Sequence, residues 1–328
     1  MMHSIVMPVY NEKEGLPTLY KRLTPLLDKF EKDFESKVEV VLVNDGSRDG
    51  SEQVLDEIAK QDSRYRIVHL SRNFGHQIAL TAGMEWASGQ TLTVMDADLQ
   101  DPPELIEQML NKWKEGFDVV YAVREKREGE TFFKLATAKL FYKIIRKLTN
   151  VDIPADTGDF RLMDRKVVDA LVRMKERNRF LRGMVVWVGF KQIGLTYRRD
   201  AREFGETHYP FRKMLRFAID GVTSFSVFPL QMATYIGVAT AFCSFLGILY
   251  TFYLHLAHKT VHGWSSLMVV ILFLGGLQLL ALGIVGEYLG RALDEVRGRP
   301  LYFVGRTVGF RGRPQKENAP QTEVYEAL

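Results

Sequence analysis

Asp96, Ala97 and Asp98 set two carboxylates one residue apart behind the apolar run Thr91–Met95. Where a chain bends after a strand, such a pair can converge on one divalent ion. Mg²⁺ and Mn²⁺ favour oxygen ligands completed by substrate phosphates and water. An ion there would act as a Lewis acid on a leaving diphosphate. The triplet alone says little, because Asp-x-Asp recurs by chance; its place behind an apolar run gives it weight. Other runs end the same way. Asn11 and Glu12 follow Ser4–Val9, and Asp45, Gly46 and Ser47 follow Val38–Asn44. Arg72 and Asn73 follow Tyr65–Leu70, Gln100 and Asp101 extend the Asp pair, and Arg124 follows Val119–Val123. Open α/β sheets bind ligands at the carboxyl ends of their strands, so these groups predict one crevice. Loops are polar in any protein, but that accounts poorly for a carboxylate or arginine behind every strand.

Other chemistries lack their residues. No Gly-x-Gly-x-x-Gly follows the first strand, and no Gly-Lys-Ser/Thr loop exists, which argues against dinucleotide binding and a P-loop. The seven histidines show no zinc-type spacing. His76, after Asn73-Phe74-Gly75, reads as a helix-entry residue, with contact to a diphosphate as the alternative. A net charge of +4 is too mild to imply nucleic acid. One cysteine, Cys243, gives no intrachain disulfide. Met1-Met2-His3 leads straight into a strand pattern, without the basic and apolar regions of a signal peptide.

The elements that must position these groups alternate. Between the strand runs lie helical patterns at Leu16–Phe34, Gln53–Lys60, Ile78–Ala87 and Pro103–Lys114, and another at Phe132–Leu148 after the fifth strand. This predicts an α/β domain with a mostly parallel sheet.

From about residue 209 the pattern changes. No Asp, Glu, Lys or Arg lies between Asp220 and Lys259, nor between Lys259 and Glu287. Each window exceeds the roughly 20 apolar residues needed to cross a bilayer core of about 30 Å. Spans are expected near Gln231–Tyr253 and Ser265–Gly286; a pair of buried helices in a soluble protein is the alternative. Arg212, Lys213 and Arg216 precede the first span, and Arg291, Arg297, Arg299, Arg306, Arg311 and Arg313 follow the second. The positive-inside rule then places both termini in the cytoplasm. Residues 209–228 mix basic and large apolar side chains, as an amphipathic surface helix or an ordinary domain helix would. The expected layout is a catalytic domain over 1–208, a juxtamembrane segment over 209–228, a two-helix hairpin over 229–290 and a basic cytoplasmic tail over 291–328, polar and disordered after Arg313.

Several ordered motifs resemble family 2 glycosyltransferases. Pro8-Val9-Tyr10-Asn11-Glu12 resembles their opening motif and Asn44-Asp45-Gly46-Ser47 their second. The run from Asp96 through Asp101 to Pro103 is similar to the metal motif of the polyprenyl-phosphate branch, which includes bactoprenol glucosyltransferases and dolichyl-phosphate mannose synthases. Asp156-Thr157-Gly158-Asp159-Phe160-Arg161-Leu162 and the C-terminal spans also match that branch.

The resemblance implies a GT-A fold and an inverting transfer. It assigns Pro8, Tyr10, Glu12 and Asp45 to base and ribose, and Asp96, with Ala97 beside it, to the nucleotide. Asp96, Asp98 and Gln100 would hold Mg²⁺ or Mn²⁺, with Asp98 and Asp159 as catalytic carboxylates. Arg124 would bind phosphate, with Arg127 and Lys134 as further candidates. Arg202-x-x-Gly205-x-Thr207-x-Tyr209 resembles the family's Arg-x-x-Gly-x-Ser-Lys-Tyr segment, so Arg202 and Thr207 are acceptor-binding candidates. His208 stands where the family has Lys and lacks its fixed charge.

The family gives an acid at the Asp159 motif the role of base. A phosphate monoester has its second pKa near about 6, so a lipid phosphate is already mostly a dianion and gains little from a base. Asp159 is therefore expected to position acceptor or sugar, with a structural pair to Arg161 as the alternative.

The implied activity is transfer of one sugar, glucose from UDP-glucose first, to undecaprenyl phosphate. UDP-N-acetylhexosamine, GDP-mannose and a UDP-aminoarabinose derivative are alternative donors. A processive synthase is disfavoured because Gln-x-x-Arg-Trp is absent. A non-catalytic membrane scaffold is disfavoured because the donor-site carboxylates are all present. Association into a homo-oligomer through the spans or the basic tail is left open.

Overall fold

Four strands rich in Val, Ile and Leu, β1 (Met2–Val9), β2 (Lys37–Asn44), β3 (Tyr65–Leu70) and β4 (Thr91–Val94), lie parallel in the order β4-β1-β2-β3. They are the first four runs expected from sequence. The computed structural model describes residues 2–125, 157–198, 228–256 and 263–310. Helices α1 (Leu16–Asp33), α2 (Ser51–Gln61), α3 (His76–Trp86) and α4 (Leu105–Lys114) connect the strands and lead on to β5 (Val119–Arg124). Their bounds fall within two residues of the expected ones. The expected helix at Phe132–Leu148 lies outside the described residues.

Side chains alternate between two cores, as the pleat of a strand requires. Ile5, Met7, Val40 and Leu42 pack on one face with Leu16, Leu19, Leu23 and Leu27 of α1 and with α2 and α4. Val6, Val41 and Val43 pack on the other against α3. The α1 leucines recur at helical spacing, which gives that helix one buried stripe.

Three strands were not expected. β6 (Thr157–Asp164) runs antiparallel between β4 and β5, and β7 (Gln192–Tyr197) lies parallel to the outer side of β5. α5 (Arg165–Arg173) and α6 (Leu181–Trp187) follow β6 and join the second core. Asp159 and Arg161 break the apolar run of β6, yet every residue of that strand up to Met163 is buried.

The third unexpected strand corrects the domain layout. α7 (Phe228–Leu256) and α8 (Trp264–Val296) are the two long apolar helices. After α8 the chain returns to the sheet, and β8 (Val304–Val308) pairs antiparallel with the free side of β3. The 291–328 segment is therefore not simply a tail, because residues 304–308 complete the catalytic sheet. Tyr302 and Val304 are buried in the second core, the Tyr302 hydroxyl donates to Glu85, and Phe310 packs edge-on against Trp86. Arg306 pairs with Glu52 and Asp56 at 2.7 and 2.6 Å. The physical reason is the open edge of β3, whose unpaired backbone groups need a partner.

Among the described residues, Phe273–Val296 within α8 is long and apolar enough to cross a membrane, while the apolar stretch in α7, Met232–Gly247, is shorter.

Candidate active site

The loops behind β1 and β2 are knitted together. The Asn11 amide donates to Ser47 Oγ, the Arg48 amide to Asn11 Oδ1, the Glu12 amide to Ser51 Oγ and the Lys13 amide to Asp49. Pro8 is buried at the end of β1, beyond the last residue paired with β4, where its missing N–H leaves no gap on that side. Tyr10 is exposed and Glu12 half-buried in the loop behind β1.

Asp45 ties the loop behind β2 to the loop behind β3. It is buried, and its two oxygens accept the amides of Phe74 and Gly75 at 2.7 and 2.9 Å. Burial pushes its pKa up while those amides oppose the shift. Its carboxylate thereby fixes the loop that leads into α3. Gly46 sits against that loop with φ +68°, and a Cβ would meet the Arg72 carbonyl carbon at 2.5 Å.

Asp96 follows β4 with its side chain 30% exposed. Its Oδ1 is buried and takes no hydrogen bond, and His76 Nε2 stands 3.5 Å away. Burial lifts the Asp96 pKa to about 6; His76 opposes the shift, and the charges of Asp159, Asp98 and Asp101 reinforce it. Asp98 Oδ1 accepts the Gln100 amide at 3.2 Å, and Leu99 between them has φ +57° with its side chain buried in the first core. A left-handed leucine costs on the order of 1–3 kcal/mol, and packing holds it there. The turn thus keeps Asp96, Asp98 and Gln100 on one short bend, with Ala97 buried between the acids.

These residues fit a divalent ion. A carboxylate oxygen without a hydrogen bond, crowded by three other acids, is a group that a cation would stabilise. Among the described residues no cluster of three or more His, Cys, Asp or Glu ligands occurs. Asp96 and Asp98, with Gln100, would supply the protein ligands and leave the remaining positions to phosphate and water, as Mg²⁺ sites commonly do.

Asp159, buried in β6, is fully engaged. His76 Nε2 and Gln77 Nε2 donate to its Oδ2 at 3.2 and 3.1 Å, and Arg182 Nε donates to its Oδ1 at 2.9 Å. Burial alone would raise its pKa, but Arg182 and His76 outweigh it and hold the carboxyl well below the usual range. These two cations keep the buried Asp159 carboxylate ionised. The alternative pair to Arg161 is replaced by one to Arg182, since the Arg161 guanidinium instead donates to the Gly158 carbonyl at 2.9 Å.

His76 opens α3 and bridges Asp159 and Asp96, so it belongs to the site and is not only a helix-entry residue. Arg182, Gln77 and Tyr197 were not singled out from sequence. Tyr197 donates to Asp101 and receives Arg124 Nε at 3.3 Å. Arg124 ends β5 as expected. The remaining phosphate candidates, Arg127, Lys134, Arg202 and Thr207, lie outside the described residues, as does the 209–227 segment.

Gly158 leaves room for Arg124. A Cβ there would come within 2.8 Å of the Arg124 Nη2. Gly158→Ala is expected to displace that flexible guanidinium, leave the melting temperature within a few degrees and cut turnover by roughly tenfold, about 1.4 kcal/mol of barrier. Parallel melts and steady-state rates check this, and unchanged turnover would remove Arg124 from the site.

Residues 4–172 match glycosyl transferase family 2, and residues 228–292 match the GtrB C-terminal hairpin. An uncharacterized glycosyltransferase of Bacillus subtilis (strain 168), YkcC, is 51% identical over 95% of this chain and 96% of its own. An uncharacterized glycosyltransferase of Synechocystis, sll0501, is 46% identical over 95% and 97%. A prophage bactoprenol glucosyl transferase homolog of Escherichia coli (strain K12) is 40% identical over 93% and 99%. With its mostly parallel sheet and its acids at the strand ends, the chain belongs to glycosyltransferase family 2 and is a glycosyltransferase of GT-A fold.

Proposed function

We propose that this enzyme transfers one glucosyl unit from UDP-glucose to undecaprenyl phosphate at the cytoplasmic face of the membrane, with inversion at the anomeric carbon. The observation that carries the reading is one chain holding both a carboxylate-lined crevice and a long apolar hairpin. Relatives named for bactoprenol glucosyl transfer support a glucosyl unit and a polyprenyl-phosphate acceptor. Tyr235, Phe242, Phe273 and Leu282 are exposed along α7 and α8, which suits contact with lipid. The hairpin over 229–290 crosses twice, and the flanking arginines keep both termini in the cytoplasm.

In the transfer, a phosphate oxygen of the lipid bonds to the sugar's anomeric carbon. The bond from that carbon to the UDP β-phosphate oxygen breaks, and UDP leaves with the electron pair. No proton must move, because the phosphate is already a dianion. Asp96 and Asp98, with Gln100 on the same turn, would hold Mg²⁺ or Mn²⁺, which supplies Lewis-acid stabilisation of the departing diphosphate when bound. Tyr10 and Glu12, in the loop behind β1, receive the base and ribose of the donor. Arg124 faces phosphate, and Asp159 sets the groups around the reacting centre.

The deciding experiment incubates the full chain in detergent with undecaprenyl phosphate and labelled UDP-glucose, UDP-N-acetylhexosamine, GDP-mannose or a UDP-aminoarabinose derivative. Labelled lipid from UDP-glucose is expected. Product from another donor alone would replace the sugar assignment, and no lipid product from any donor would overturn the reading.

A further inference from the structure

Asp159 cannot itself meet an anionic acceptor. It is a buried anion, and a second anion brought against it would be repelled unless cations stand between. The structure supplies them in sequence. Asp96 Oδ1 lies 3.5 Å from His76 Nε2, His76 Nε2 lies 3.2 Å from Asp159 Oδ2, and Asp159 Oδ1 lies 2.9 Å from Arg182 Nε. Arg182 thus pairs through Nε and Nη2 with the carboxylate that His76 links to Asp96. A departing diphosphate belongs beside Asp96 and Asp98. An attacking phosphate needs a different cation, set apart from the diphosphate, on the far side of the reacting carbon.

The Arg182 side chain is 25% exposed while Asp159 is only 7% exposed. Of this buried ion pair, the arginine is the member that reaches solvent. Gln77 locks the arrangement from both ends, because its amide nitrogen donates to Asp159 Oδ2 while its Oε1 accepts the Leu181 amide at 3.0 Å, next to Arg182. This ties the start of α3 to the start of α6 and fixes where the guanidinium points.

We propose that Arg182 is the residue that contacts the acceptor's phosphate monoester, and that Asp159 and Gln77 are positioning residues acting through it. The inference rests on the lipid-phosphate reading above and adds to it the residue that receives the acceptor. Arginine suits the task, since its planar fork matches phosphate oxygens.

The test compares Arg182→Ala, Arg182→Lys, Asp159→Asn and the double variant Asp159→Asn/Arg182→Ala in the full chain. KM for undecaprenyl phosphate, KM for UDP-glucose and kcat are measured, with equilibrium binding of undecaprenyl phosphate and of inorganic phosphate read in parallel. Arg182→Ala is expected to raise KM for the lipid phosphate about tenfold or more, the scale of a lost charge-assisted hydrogen bond, with KM for UDP-glucose within about twofold. Guanidinium ion is expected to restore part of the activity, and Arg182→Lys to fall between. Asp159→Asn should move the same constant, and the double variant should be no worse than Arg182→Ala alone, because both remove one interaction.

A raised KM for UDP-glucose with the lipid constant unchanged would assign Arg182 to the donor and overturn the proposal. Additive losses in the double variant would also overturn it, as would an Asp159→Asn enzyme that loses only the acidic limb of its pH profile. If Arg182→Ala does not fold, Arg182→Lys and Arg182→Gln carry the same comparison. Wild-type protein that binds undecaprenyl phosphate through Arg182 but transfers no sugar would sink the activity and keep this contact. Wild-type transfer with unaltered lipid-phosphate affinity in Arg182→Ala would do the reverse.

Discussion

Replacing Asp96 with Asn is expected to lower turnover by roughly two to three orders of magnitude, the scale of a lost charge-stabilising group, without lowering the melting temperature. The two effects share one cause. Burial and three neighbouring acids raise the Asp96 pKa to about 6, so the ionised form opposes folding at neutral pH. The sign follows from linkage: a carboxyl whose folded pKa lies above its unfolded value costs stability once the pH exceeds the unfolded value, fully so above about 6. Asparagine removes that cost on the order of 1–3 kcal/mol, together with the charge that a divalent ion would use. Asp98→Ala and EDTA are expected to depress turnover similarly. Titration of Mn²⁺ onto wild type and Asp96→Asn, followed by electron paramagnetic resonance, reads binding apart from activity. Equal Mn²⁺ affinity and undiminished transfer would refute the metal site. Such a trade of stability for activity is common at catalytic centres.

Ending the chain after Val296 is expected to abolish cooperative unfolding of the catalytic domain. Truncation takes Tyr302 and Val304 from the second core, uncovers Trp86 and leaves β3 without its outer partner. Burying a large apolar side chain contributes roughly 1.5–3 kcal/mol, against a total stability of about 5–15 kcal/mol for a domain. Losing two such side chains and an edge strand therefore reaches the scale of the whole. Val304→Asp is expected to cost about 2–4 kcal/mol, the range for an unpaired charge in a core. Arg306→Ala should cost no more than about 1 kcal/mol, because that side chain is 42% exposed and water screens its bridges. Thermal melts and limited proteolysis of the detergent-solubilised protein measure all three. A truncated chain that melts like wild type would show β8 to be dispensable.

The legible part of the molecule was the part built from parallel strands. β1 to β4 are buried on both faces, so they read as continuous apolar runs, and the polar groups behind them mark the crevice directly. β6 escaped notice because Asp159 and Arg161 interrupt its apolar run. β8 escaped because Val-Gly-Arg-Thr-Val follows a basic helix end, and its burial depends on an edge contributed by residues 65–70. Arg182 had no local signal at all. Its importance comes from the docking of α6 beside α3, a tertiary fact that spacing along the chain does not encode.

The pairing of β8 with β3 also sets the order in which the enzyme can be made. Roughly 240 residues separate the two strands, and ribosomes add about 5–20 residues per second. The nascent catalytic sheet therefore waits roughly 10–50 s with one edge open. Its last strand emerges only after both hairpin helices have left the ribosome. Maturation of the active domain is in this way timed to follow hairpin synthesis, so a chain that stalls before the hairpin is complete carries an unfinished sheet.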